Sequence, residues 1–169
     1  MNQMKRTRVG GKWVLTVVLS IVFASWGWGQ KSAPRIFLVR HCEKALESTD
    51  DPNLSDEGKR RAERLAYLLQ SAGIEEIFST ATRRTMQTGE PVARAAGVSI
   101  KNYDVKNNSL ATDLKNISRT TLVVCHSYNL AELLKALTGR TDITPSDDYG
   151  ELFMVTFTPN GAEVAKFHF

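Results

Sequence analysis

The chain is punctuated by short apolar runs. Ile36-Phe37-Leu38-Val39 lies between two arginines, and Thr121-Leu122-Val123-Val124 is a second such run, between Thr120 and Cys125. Runs this short predict strands buried on both faces, as in a parallel sheet covered by helices. Between them the period changes. Ala62, Leu65, Ala66 and Leu69 recur at helical spacing behind Ser55, a candidate N-cap, with Asp56 and Glu57 in the first turn and Gly73 as a stop. Ile77-Phe78 predicts a second short strand. A helix follows over Arg83–Ala96, closed by Gly97 and weakened in its middle by Gly89 and Pro91. Ser99–Tyr103 predicts a third strand. Leu130, Leu133, Leu134 and Leu137 line one face of a helix starting near Asn129 and ending at Gly139. Leu152–Thr158 and Ala162–His168 flank Pro159-Asn160-Gly161 and predict a hairpin. The pattern is that of an α/β domain with a mostly parallel central sheet and an antiparallel edge hairpin.

Length adds that 169 residues suit one domain, and 42% apolar residues suffice for a packed core. Charge changes the picture more. Of 22 Lys and Arg, four precede residue 30, a stretch without Asp or Glu, so the remainder balances at 18 of each sign. The formal +4 belongs to the leader, and a basic nucleic-acid-binding domain is excluded. Residues 1–29 read as a signal peptide: a basic head ending at Lys12, an apolar stretch from Trp13 to Trp26, then Gly27-Trp28-Gly29 before the cleavage point. Fourteen helical residues span about 21 Å, less than the ~30 Å of a bilayer core, which favours cleavage over a retained anchor. The expectation is a single domain over residues 30–169, periplasmic or secreted, without stable membrane association after cleavage.

Ligands of open α/β sheets bind beyond the carboxyl ends of the strands. Three strand ends carry the chemistry here: Arg40-His41-Cys42-Glu43 after the first run, Ser79-Thr80-Ala81-Thr82-Arg83-Arg84 after the second, and Cys125-His126-Ser127 after the run at 121–124. Arginine binds phosphate oxygens through a planar fork that stays charged. A neutral imidazole can attack phosphorus, and a second one can stabilise charge on the transferring group. The expected ligand is a small phosphorylated substrate. No Gly-rich nucleotide loop is present, and a zinc site built from the two Cys–His pairs lacks the usual ligand spacing.

These segments, with Asp51-Pro52-Asn53-Leu54-Ser55-Asp56-Glu57-Gly58, resemble the histidine phosphatase (phosphoglycerate mutase-like) superfamily over about Arg35 to Thr158. The resemblance implies a three-layer α/β/α sandwich that works without metal or cofactor. It implies His41 as the phosphorylated nucleophile, Arg40 and Arg83 as phosphate ligands, and His126 completing the pocket. Arg84 is read as a solvent-facing neighbour and His168 as structural. Ser127 is either a phosphate ligand or a helix cap.

Three features depart from the family. Cys42 stands where Gly or Ala is usual and Cys125 where Gly is common, so the two thiols are either small buried groups or a redox pair. The segment between Tyr103 and Thr121 is also too short for the inserted cap that carries a general acid in larger members, which makes the chain similar to the small phosphohistidine phosphatases. Glu43 is the first candidate for the missing acid and Asp148 the second. The resulting reading is a metal-independent phosphatase acting on a phosphomonoester or phosphoramidate. The alternatives are a phosphate-binding module without turnover and a phosphoglycerate-mutase-like phosphotransferase.

Overall fold

The computed structural model describes residues 33–106 and 109–169, so the leader predicted over residues 1–29 lies outside the described residues. The first apolar run becomes β1 (Arg35–Arg40) and the second β4 (Thr121–Cys125). Between them lie α1 (Asp56–Leu69), β2 (Glu76–Ser79), α2 (Arg83–Ala96), β3 (Ile100–Asn102) and α3 (Ser109–Lys115). After β4 come α4 (Ser127–Thr138), β5 (Glu151–Thr158) and β6 (Gly161–His168). The sheet order is β3-β2-β4-β1-β5-β6. Its first four strands run parallel, whereas β5 pairs antiparallel with β1, and β6 antiparallel with β5.

Strand geometry explains the three layers. Successive side chains point to opposite faces. Ile36 and Leu38 therefore pack with Leu110 and Leu114 of α3 and Leu130, Leu134 and Leu137 of α4. Phe37 and Val39 pack on the other face with Leu65 and Leu69 of α1 and Val92 of α2. The expected α/β/α sandwich, with its mostly parallel sheet and antiparallel edge hairpin, is what forms. No helix among the described residues is long and apolar enough to cross a membrane.

Two glycines allow close approach near the strand ends. A β-carbon on Gly89 would come 3.3 Å from Ile100 and 3.5 Å from Val124, so α2 lies tight on the sheet there. That contact, with Thr85, Thr88 and Val92 buried on the same helix, keeps α2 continuous through Pro91. A β-carbon on Gly58 would stand 2.2 Å from the Glu43 carbonyl oxygen, so α1 abuts the segment that follows His41. Ser55 caps α1, its hydroxyl accepting the Gly58 N–H at 3.1 Å. The short helix α3 was not visible in the sequence pattern, because its seven residues offer only Leu110 and Leu114 to the core.

Candidate active site

The parallel register sets Arg40 beside Cys125, so the residues following β1 and β4 emerge together. The His41 N–H donates to the Cys125 carbonyl at 2.9 Å, tying the two strand ends. The result is a pair of buried imidazoles, His41 6% exposed and His126 4%, with ring centroids 5.4 Å apart in an edge arrangement.

His41 has a defined tautomer. Its Nδ1 lies 2.8 Å from the Cys42 carbonyl oxygen. A carbonyl can only accept, so Nδ1 carries the proton and Nε2 keeps its lone pair. Burial holds the His41 pKa down at about 4, with the charges of His126, Arg84 and Arg40 acting in the same direction. His126 is lowered to about 4 as well, again by burial first and then by Arg84 and Arg40. Its Nε2 is 3.0 Å from the Thr80 hydroxyl, and its N–H donates to Asn129 Oδ1 at 2.8 Å. Asn129 Nδ2 donates in turn to the Tyr103 hydroxyl at 2.9 Å, so the second imidazole is fixed through its own backbone.

These shifts carry a stability consequence. In the unfolded chain each ring takes up a proton near pH 6.5, but in the folded chain only near pH 4. Between those values the unfolded state binds more protons, so stability rises with pH across this window and is lost on acidification. The expected loss between pH 7 and pH 5 is about 1 kcal/mol per ring, allowing for water at the pocket mouth. Urea unfolding at the two pH values measures it. A variant with asparagine at both histidines should lose this slope, and an unchanged slope would contradict the assignment.

The expected site residues are only partly brought together. Arg40 joins the histidines: its Nη1 donates to the Asp147 carbonyl at 2.9 Å and its guanidinium lies 4.2 Å from the centre of the Tyr149 ring. Arg83, expected as the second phosphate arginine, has an exposed position at the start of α2. Its backbone N–H donates to Asp51 Oδ1 at 2.9 Å. Arg84, expected to face solvent, is instead largely buried and, with Arg40, acts on both imidazoles. The reason is helical phase: Arg84 lies one turn before Thr88, on the side of α2 packed against the sheet, and its carbonyl accepts the Thr88 hydroxyl at 2.7 Å.

Neither acid candidate is available. Glu43 is bound to Arg61 of α1, with Oε1 accepting from Nε at 2.8 Å and lying 2.7 Å from Nη2. Arg61 also donates to the Phe169 carbonyl at 2.9 Å, so this ion pair fastens the chain end to α1. Asp148 accepts the Gly150 N–H at 2.9 Å and stands 3.6 Å from His168 at the far edge of the sheet. The Gly150 bond holds the Asp148 carboxyl below its ordinary pKa, which suits an anion rather than a proton donor. Ser127 is exposed as the first residue of α4, and the capping position belongs to His126, so the cap reading of Ser127 is corrected.

The thiols are free and lie in different clusters, Cys42 with Leu54 and Ala62, Cys125 with Ile36 and Leu130. Burial raises both to about 12. They are small packing groups, and the redox-pair alternative falls away. Tyr149, Thr88 and Gln87 were missed in the sequence. Thr88 accepts the Cys42 N–H at 2.9 Å and Gln87 accepts the Leu54 N–H at 2.7 Å, so α2 holds both ends of the loop after β1. Tyr149 had no periodic or motif signal.

Comparisons with known proteins agree with this geometry. Residues 36–105 match the family model of the histidine phosphatase superfamily (branch 1). A protein named "Probable phosphoglycerate mutase GpmB" from Proteus mirabilis (strain HI4320) is 36% identical over 67 residues, covering 36% of this chain. The chain spans about a third (31%) of the length of that curated relative. The protein histidine phosphatase SixA, solved with tungstate, superposes with a TM-score of 0.67 at 19% identity, over 79% of this chain and 96% of that one. A mycobacterial glucosyl-3-phosphoglycerate phosphatase complexed with VO3 gives 0.65 at 12% identity, over 81% and 99% of the two chains. Phosphoserine phosphatase from Entamoeba histolytica, in complex with 3-phosphoglyceric acid, gives 0.62 at 13%, over 80% and 97%. At these identities the structural likeness establishes the fold, and the family model matches the segment from β1 to just past β3. Over residues 36–105 the chain is similar to the histidine phosphatase superfamily, and its described domain has the α/β/α fold of these solved structures.

Proposed function

We propose that this domain is a metal-independent phosphatase that hydrolyses a phosphomonoester or phosphoramidate through a phosphohistidine on His41. The observation that carries the reading is the pinned imidazole: Nδ1 is held as a donor by the Cys42 carbonyl, leaving Nε2 as a lone pair in a site flanked by Arg40 and Arg84. Nε2 attacks phosphorus, the N–P bond forms, and the bond to the leaving group breaks with its electron pair on that group. Water then attacks the phosphohistidine, releasing phosphate and restoring Nε2. The two guanidinium groups supply donors to the equatorial oxygens, where charge builds in both steps, and His126 lines the same pocket.

Both candidate carboxylates are engaged elsewhere, so the leaving group takes its proton from water or departs as an anion. That favours substrates with weakly basic leaving groups. It is also the observation that keeps a second reading, a phosphate-binding module without turnover. The leader composition supports export to the periplasm or beyond, where the substrate would be met.

Phosphate release from para-nitrophenyl phosphate by the full chain, with EDTA in excess, tests both readings. Turnover unaffected by the chelator is expected, together with a trapped phosphoryl-enzyme that survives alkali and is lost in acid, as a phosphoramidate is. Vanadate binding without any turnover would establish the binding module instead.

A further inference from the structure

The loop before β5 reaches the site as Ser146-Asp147-Asp148-Tyr149-Gly150. Its backbone is tied at several points. The Ser146 N–H donates to Glu151 Oε2 at 2.8 Å, the Asp148 N–H to Ser146 Oγ at 3.1 Å, and the Gly150 N–H to Asp148 Oδ1 at 2.9 Å. Glu151 is buried in β5 and ion-paired with Lys166 of β6, which anchors the start of the loop in the sheet. The Gly150 carbonyl accepts the Phe169 N–H at 3.0 Å. A β-carbon on Gly150 would stand 3.0 Å from both Arg61 Nη1 and the Phe169 carbonyl oxygen, so only glycine lets the loop seat there undisturbed.

From this fixed loop Tyr149 meets two site residues. The Arg40 guanidinium carbon lies over its ring, 4.2 Å from the centre, and the His41 ring lies 5.8 Å away at a 49° tilt. Arg40 is mostly buried, and its Nη1 donates to the Asp147 carbonyl of the same loop at 2.9 Å. Its Nε is buried and has no hydrogen-bond partner among the described residues. A buried N–H of a charged group costs free energy unless a ligand takes it. The guanidinium sits at the end of a flexible stem, and an aromatic face packed against it removes much of that freedom.

We propose that Tyr149 is a positioning residue, whose ring packs against the Arg40 guanidinium and, with the Asp147 carbonyl, fixes its orientation. The remaining donors of Arg40, Nε among them, are thereby kept for the oxygens of the transferring phosphoryl group. The inference deepens the proposed phosphatase reading and rests on its phosphoryl site. It gives the loop before β5 a part in stabilising the charge that builds on those oxygens, exerted through Arg40. A cation held against an aromatic face away from water favours the held orientation by about ten- to thirtyfold.

A double-mutant cycle in the full chain tests this, read by kcat/KM for para-nitrophenyl phosphate and by calorimetric binding of inorganic vanadate. The NMR resonance of the Arg40 Nε–H, assigned by its loss in Arg40→Ala, reports on the contact itself. In the wild type the ring current of Tyr149 is expected to shift it upfield. Tyr149→Leu should remove that shift and weaken both kcat/KM and vanadate binding about tenfold. Tyr149→Phe should keep the shift and bring both to within about threefold of the wild type. In an Arg40→Ala background Tyr149→Leu should cost less than about twofold more, because the group it positions is gone. An equal loss in both backgrounds would make Tyr149 a packing residue of its loop and overturn the proposal. A loss in Tyr149→Phe as large as in Tyr149→Leu would overturn it by assigning the effect to the hydroxyl. An unshifted wild-type resonance would overturn it whichever variants fold. An upfield-shifted resonance without vanadate binding or turnover in the wild type would leave the contact standing but overturn the phosphoryl site, and this proposal with it.

Discussion

Replacing His41 by alanine is expected to lower phosphate release at least about 10³-fold, with the fold and vanadate binding largely retained. The expectation follows from the attacking atom. His41 Nε2 has its lone pair free because Nδ1 is engaged, whereas the Nε2 of the neighbouring His126 is hydrogen-bonded to the Thr80 hydroxyl. Its pKa near 4 adds a pH signature. An imidazole with an ordinary pKa would lose nucleophilicity below about pH 6.5, whereas this one stays neutral and reactive to about pH 5. The acid limb of kcat/KM, measured with a substrate whose ionisation is constant over the range, should therefore lie well below pH 6. A His41→Ala variant retaining a tenth of wild-type turnover would remove the covalent mechanism.

The second large effect separates two adjacent arginines. Arg84→Ala should reduce kcat/KM about 10²- to 10³-fold, because it removes a fixed cation from the developing charge on the phosphoryl oxygens. Arg83→Ala should change it less than about threefold, since that side chain projects into solvent from the helix start. Arg84→Lys should recover only part of the loss, because an ammonium lacks the planar fork. Asp51 faces Arg84 at 3.7 Å and also accepts the Arg83 N–H, so it steadies this turn of the helix. Equal effects of the two alanine substitutions, or a larger one at Arg83, would refute the assignment.

The confusion between these arginines shows where reading the chain stops. Their motif was visible, and so was the helix that carries them, with Arg83–Ala96 bounded by Gly97 as expected. Neighbouring residues on a helix point about 100° apart, so only the way α2 lies on the sheet decides which one enters the site. The buried Thr85, Thr88 and Val92 set that orientation. Thr88, one turn after Arg84, is among them, and its burial brings Arg84 to the sheet side of the helix. Glu43 illustrates a second limit. Adjacency to the nucleophile suggested an acid, yet its partner Arg61 lies eighteen positions away on α1. Local spacing says nothing about an ion pair made by chain folding.

What the amino-acid order determined by itself is local: short apolar runs make strands, a 3.6-residue period makes helices, and glycine ends them at positions such as Gly97 and Gly139, where φ is 68° and 71°. Because ligands of such sheets gather at the carboxyl ends of parallel strands, the order of motifs also placed His41 and His126 in one site. Tertiary structure alone decided which arginine faces them, that Cys42 and Cys125 sit in separate clusters, and that Tyr149 arrives from a loop before β5. Those outcomes depend on helix phase and on loop ends anchored by distant partners. They are set by packing between segments far apart in sequence, and no local pattern encodes them.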